Sequence, residues 1–182
     1  MRSIFQISSV LILGFLVFPF IISCTSHQEK SNQRIEALEK ELFGDSAMKF
    51  VDKTKARALI EAYIDHSKEF SEDKKTAEYI FKAAELANGI HLPVEALEYY
   101  NLVCEKYPAS EKAPISLFLQ GFLYENQLKN FEKAKTFYNA FLQKYPKHAL
   151  VKDVQFSLAH LGMSDEELIK MFEEKNKSAP VN

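Results

Sequence analysis

The sequence predicts an all-α protein: a solenoid of helical hairpins behind an N-terminal signal and a short amphipathic helix. Three observations predict it. Ala77, Ile80, Ala84 and Ala87 form a stripe at i, i+3, i+7 and i+10. It returns 37 residues later as Pro114, Leu117, Gly121 and Tyr124, and 37 later again as Val151, Val154, Leu158 and Leu161. Next, residues 95–108 align with residues 133–146, six of 14 positions being identical: Ala96/Ala134, Tyr100/Tyr138, Asn101/Asn139, Lys106/Lys144, Tyr107/Tyr145 and Pro108/Pro146. Finally, both aligned segments end in Tyr-Pro, where a helix must stop. The residue before proline is pushed out of the α region, and proline has no N–H to donate in a helix interior.

The first element is a targeting segment, residues 1–23. Met1-Arg2-Ser3 is a short cationic start, and Val10–Ile22 is an unbroken run of 13 non-polar residues. A bilayer-spanning helix needs about 20, so the run has the length of a signal-peptide core. It ends in Ile21-Ile22-Ser23-Cys24, which resembles the bacterial lipobox. That resemblance implies cleavage before Cys24, a thioether-linked diacylglyceride on Cys24 and an acylated amine, palmitate-like chains holding the protein to a membrane. A plain secretory signal with an incidental cysteine is the competing reading. Thr25 rather than Asp after the cysteine resembles the sorting signal for the outer membrane. With only Glu29 as a nearby acid, the periplasmic face is expected.

Residues 24–33 are polar beyond the cysteine and read as a lipidated tether. Residues 34–52 hold a heptad-like stripe, Ile35, Leu38 and Leu42, broken at Gly44. An isolated amphipathic helix explains it; oligomerisation is the alternative. Residues 53–177 read as the helical-hairpin domain and 178–182 as a tail. Lys55–Phe70 carries Ala58, Leu59, Ala62, Tyr63 and His66 on adjoining helical positions. Each repeat then has two helices. The first helix closes near Gly89 in one copy and near Lys129-Asn130 in the next; Pro93 and Asn130 open the second helices, as a first-turn proline and a side-chain cap. The third copy ends its first helix at Gly162, and Ser164-Asp165-Glu166-Glu167 forms a capping box that opens a last helix.

Composition bounds the function. Among 182 residues, 47% are hydrophobic and 26% charged, with five Gly and six Pro, which excludes a disordered or low-complexity chain. Arg2 is the one charge in the signal, so residues 24–182 hold 22 cations against 25 anions. That mild acidity argues against a nucleic-acid binder, which needs clustered Lys and Arg. Two cysteines, one of them Cys24, leave no disulfide framework.

A two-helix unit of this length, with small residues at the crossing (Ala84 and Gly121; Ala96 and Ala134), aromatics at Tyr100, Tyr124 and Tyr138, and closing Pro108 and Pro146, resembles the tetratricopeptide repeat. The likeness covers residues 74–176. Among envelope proteins, the order of elements and the stretch Gly121–Ala134 are similar to the Tol-Pal system family YbgF/CpoB. The outer-membrane assembly lipoprotein BamD is a more distant likeness that shares the lipid anchor. The first implies scaffolding of a protein or peptide partner in the bacterial envelope, the second a part in outer-membrane protein assembly.

No catalytic or cofactor signature emerges. His27, His66, His91, His148 and His160 have no metal-ligand spacing, no phosphate-cradling glycine loop or Gly-x-Ser-x-Gly motif occurs, and Cys104 aligns with Leu142 as a small buried hydrophobe. An envelope hydrolase, or its regulatory subunit, would require a catalytic cluster. Binding remains. The first helices of stacked hairpins line a groove, and the resemblance maps groove positions onto Glu78, Phe81, Glu85 and Asn88 in one repeat and Phe118, Phe122, Glu125 and Asn126 in the next. Three phenylalanines bordered by acids and amides suit an extended or helical peptide. The competing reading packs Phe118 and Phe122 on helix Lys55–Phe70 or on the last helix.

Overall fold

The computed structural model describes residues 18–44 and 51–178, with side chains from residue 27 to 174 except 165. Residues 1–17 of the expected signal, the Cys24 side chain and residues 179–182 of the expected tail lie outside the described part. Among the described residues there are eight helices and no strand: α1 (Phe18–Phe43), α2 (Lys53–Glu69), α3 (Thr76–Gly89), α4 (Pro93–Lys106), α5 (Lys112–Asn126), α6 (Phe131–Lys144), α7 (Val151–Ala159) and α8 (Asp165–Ser178). The all-α hairpin architecture is the one the periodicity predicts. The chain divides into two compact units, Met1–Tyr79 and Ile80–Asn182, with the border inside α3.

In the first unit α1 lies on α2. The heptad-like stripe is used for this: Ile35 is fully buried, Leu42 nearly so and Leu38 half-buried. The two helices pack together, and on α2 Leu59, Ile60, Ala62 and Tyr63 are all buried. Asp52 caps α2, its carboxylate accepting from the Thr54 and Lys55 N–H groups at 2.9 and 3.2 Å.

The expected tether is not a loose chain. Residues 25–33 continue α1, and their inward polar groups are partnered: Ser31 Oγ lies 3.0 Å from His66 Nδ1, the Gln28 amide donates to Asp73, and the Tyr79 hydroxyl donates to Asn32 Oδ1 at 3.3 Å. Gln, Glu and Lys at positions 28–30 are good helix formers, and no Gly or Pro interrupts residues 25–33. The helix therefore extends backward from its apolar stripe, with hydrogen bonds replacing apolar burial.

In the second unit the local signals land where expected. Pro93 opens α4 and the Asn130 side chain accepts from the Lys133 N–H at 3.0 Å to open α6. Ser164 and Glu167 close a reciprocal capping box at 2.8 and 3.2 Å, and α7 is followed by Gly162 at φ +83°. Tyr107 and Tyr145 end α4 and α6 with near-identical backbones, φ −127° and ψ 51° against φ −128° and ψ 54°. Each is followed by the same pair of turns: Ser110 N–H to Tyr107 O and Ala113 N–H to Ser110 O, then His148 N–H to Tyr145 O and Val151 N–H to His148 O.

That turn also occurs a third time, where the sequence lacks a Tyr-Pro. Phe70 ends α2 at φ −120° and ψ 55°, followed by Asp73 N–H to Phe70 O and Thr76 N–H to Asp73 O. The hairpin of α1 and α2 is thus built on the repeat plan, one copy earlier than the sequence stripes reveal. Phe70-Ser71 hides the match because the proline is missing, while the backbone reproduces it.

Candidate functional site

The second helices of the first three hairpins, α2, α4 and α6, each present a buried tyrosine that faces a glutamate of the helix before it. Tyr63 donates to Glu39 Oε1 at 2.6 Å, and Tyr138 to Glu125 Oε2 at 2.6 Å. Tyr100, 1% exposed, feels the charge of Glu85. Burial first, and the neighbouring carboxylate second, push all three phenols well above the ordinary tyrosine range. The two hydrogen bonds tie the C-terminal part of α1 and of α5 to the middle of the helix that follows.

The close approach of α5 to α6 depends on Gly121. A Cβ there would meet the Tyr138 ring, with Cε1 at 2.6 Å. Ala96, Ala134 and Ala84 are likewise fully buried, as the crossing reading requires. Around Tyr138 lies a core of Ala134, Phe141 and Val154, with Leu117, Phe118 and Leu158 packed against it.

The expected groove residues divide accordingly. Glu78 is half-buried in the first unit; the other seven belong to the second. Phe81 is 4% exposed, its ring 5.7 Å from that of Tyr100 and its face covered by Lys112 Nζ at 4.8 Å. It is core rather than a groove anchor, because α4 and the start of α5 close over it. Phe118 is half-buried and packs on Tyr138 and Phe141, 5.9 and 6.4 Å away, so it too is mainly structural. The competing reading had placed Phe118 on α2 or α8; it packs instead on α6, the partner helix of its own hairpin. Glu125 is committed to Tyr138, and Asn88 accepts from the Gln127 amide, joining the ends of α3 and α5. Glu85 is exposed.

One aromatic of the set faces solvent. Phe122 is 42% exposed, 6.3 Å from Phe118, with Asn126 donating to its carbonyl at 3.1 Å. Of the eight expected groove residues, Glu85, Phe122 and Asn126 are the ones that remain exposed. A second exposed apolar group lies on α7 and α8: Phe156 and Phe172 stack 6.0 Å apart and are 43% and 44% exposed. Their signal was their position off the repeat stripe. A recess of 540 Å³ also opens between the Pro108–Glu111 turn and Tyr145 with His148.

The residues weighed for chemistry have structural surroundings. Burial pushes the Cys104 thiol up to about 11, and it sits 3.5 Å from both the Ala113 carbonyl and the Gln120 amide. His148 accepts from the Leu150 N–H at 3.2 Å, and the fully buried His66 packs between Phe70 and Tyr79, both 4.9 Å away. Among the described residues no three His, Cys, Asp or Glu side chains gather as a metal site.

Residues 116–148, which span most of α5, all of α6 and the closing Tyr145-Pro146 turn, match the family model described as tetratricopeptide repeat. The chain contains a tetratricopeptide repeat. Its Gly121, Ala134, Tyr138 and Pro146 are the positions that carried the resemblance in the sequence. Such a repeat is typically a non-catalytic scaffold for protein–protein interaction. No curated protein matches the chain.

Proposed function

We propose that the chain is a lipid-anchored tetratricopeptide adaptor that holds a protein or peptide partner in the bacterial envelope. Cys24 carries the lipid, and the repeats face the periplasm from the outer membrane. The observation that carries the binding half is Phe122, a large aromatic exposed on the repeat helix α5 one turn before the exposed Asn126. The anchoring half rests on Ile21-Ile22-Ser23-Cys24 and the apolar run before it. Anchoring keeps a weakly bound partner at high local concentration, so one modest surface suffices.

Tol-Pal-type scaffolding is the leading version, since an amphipathic helix precedes the repeats as in YbgF/CpoB. The burial of Ile35 and Leu42 on α2 takes the coiled-coil part out of that likeness and leaves its weight on the repeats. A BamD-like role in outer-membrane protein assembly is the alternative.

A photo-crosslinking residue at position 122, compared with one at the exposed Glu98, tests the surface in intact cells. Crosslinks to a discrete envelope protein from 122 and not from 98 support the reading. Equal or absent crosslinking from both positions overturns it. Fatty-acid labelling of wild type and Cys24→Ala tests the anchor independently.

A further inference from the structure

A recess of 590 Å³ lies between α1 and α2 in the first unit, and its rim is rich in cations. His27 Nδ1 is 2.7 Å from Glu69 Oε1, and Arg34 Nη1 is 3.7 Å from Asp65 Oδ2, so both acids of the rim have partners. Lys30 and Lys68 also line it, are exposed, and have no carboxylate partner among the described residues. The recess therefore presents two uncommitted ammonium groups, one from each helix.

Its position along α1 is what gives this meaning. Because α1 runs unbroken through Cys24, there is no slack between the proposed lipid and the domain. At 1.5 Å per residue, His27 follows Cys24 by about 4.5 Å and Lys30 by about 9 Å. The headgroup layer of one leaflet is about 5–8 Å deep. The rim of the recess thus sits at headgroup level once Cys24 is acylated, and a flexible tether would have placed it anywhere.

We propose that this recess binds the phosphate of an anionic phospholipid headgroup, gripped by Lys30 and Lys68. The site adds a second, electrostatic membrane contact to the lipid and sets the orientation of α1 on the surface. It rests on the reading of Cys24 as the anchor for its location, though not for its chemistry.

The test uses the full chain purified from membranes in detergent, with the mass of the intact protein reporting acylation of Cys24. The probes are dihexanoyl phosphatidylglycerol, dihexanoyl phosphatidylcholine and inorganic phosphate, read through the imidazole signals of His27 and His66. Phosphatidylglycerol shifts them saturably, and the other two do so weakly or not at all. A juxtamembrane lysine is worth about fivefold in affinity at low salt, so Lys30→Gln with Lys68→Gln weakens binding about thirtyfold. Helicity and melting temperature stay unchanged, and Lys30→Arg with Lys68→Arg retains binding. Equal response to phosphatidylcholine, equal saturation by inorganic phosphate, or an unaffected glutamine double variant overturns the headgroup site. An unacylated Cys24 in a chain that still binds phosphatidylglycerol overturns the anchor and leaves the site standing.

Discussion

The Tyr138 hydroxyl donates to Glu125 Oε2 across 2.6 Å, while Cε1 and Cδ1 of the same ring lie 2.6 and 2.7 Å from where a Cβ on Gly121 would be. One side chain thus fixes both the spacing and the register of α5 on α6. The Tyr63–Glu39 bond, also 2.6 Å, fixes α2 on α1 in the same manner. Small residues alone would let the helices approach; the tyrosine–glutamate bond decides which residues face each other.

Gly121→Val will destabilise the chain by about 1–3 kcal/mol, since the added carbons collide with a ring that has no room to retreat. Gly89→Ala is the contrast. Nothing lies within 4 Å of the added carbon, and the gain in helix propensity makes that variant neutral or up to about 1 kcal/mol more stable. Thermal unfolding of both variants checks the pair.

Tyr138→Phe will cost about 0.5–1.5 kcal/mol, chiefly through loss of the hydrogen bond to Glu125, and Glu125→Gln will cost less because an acceptor remains. Above the ordinary value of 10.0, the unfolded chain loses phenolic protons that folded Tyr63, Tyr100 and Tyr138 keep, so stability falls as pH rises. Spectrophotometric titration will show three of the eight tyrosines failing to ionise until the chain unfolds. Eight independent titrations near the ordinary value would contradict the pairing.

His66 brings the opposite dependence. Burial lowers its pKa below 6.5, against a weaker upward pull from Asp73. As pH falls past 6.5, the unfolded chain takes up a proton that the folded one refuses, and the first unit loses stability. The melting temperature will drop between about pH 7 and about pH 5, and His66→Gln will remove part of that slope.

Phe118→Ala and Phe122→Ala separate core from surface. Truncating Phe118 opens a hole beside Tyr138 and Phe141 and will cost about 2–3 kcal/mol, somewhat less than a fully buried ring. Truncating Phe122, 42% exposed, will change stability by about 0.5 kcal/mol while abolishing capture of the partner. Denaturant unfolding of the two variants, measured alongside capture, distinguishes a binding defect from an unfolding one.

The sequence by itself determined the hairpin period and the helix starts and stops of residues 93–167. Those signals act within a few residues along the chain: proline after Tyr107 and Tyr145, the Asn130 cap, the Ser164–Glu167 box, the small residues at each crossing. Only the tertiary structure decided which polar groups are spent on holding the fold. Gln28, Ser31 and Asn32 read as tether because no apolar residue marks their inward face, yet they meet Asp73, His66 and Tyr79 from 35 to 47 residues away. Phe81, Glu125 and Asn88 read as groove because helical position cannot tell solvent from a neighbouring helix. A hydrogen bond between distant segments leaves no periodic trace, whereas apolar burial does, and so the core was legible and the free surface was not.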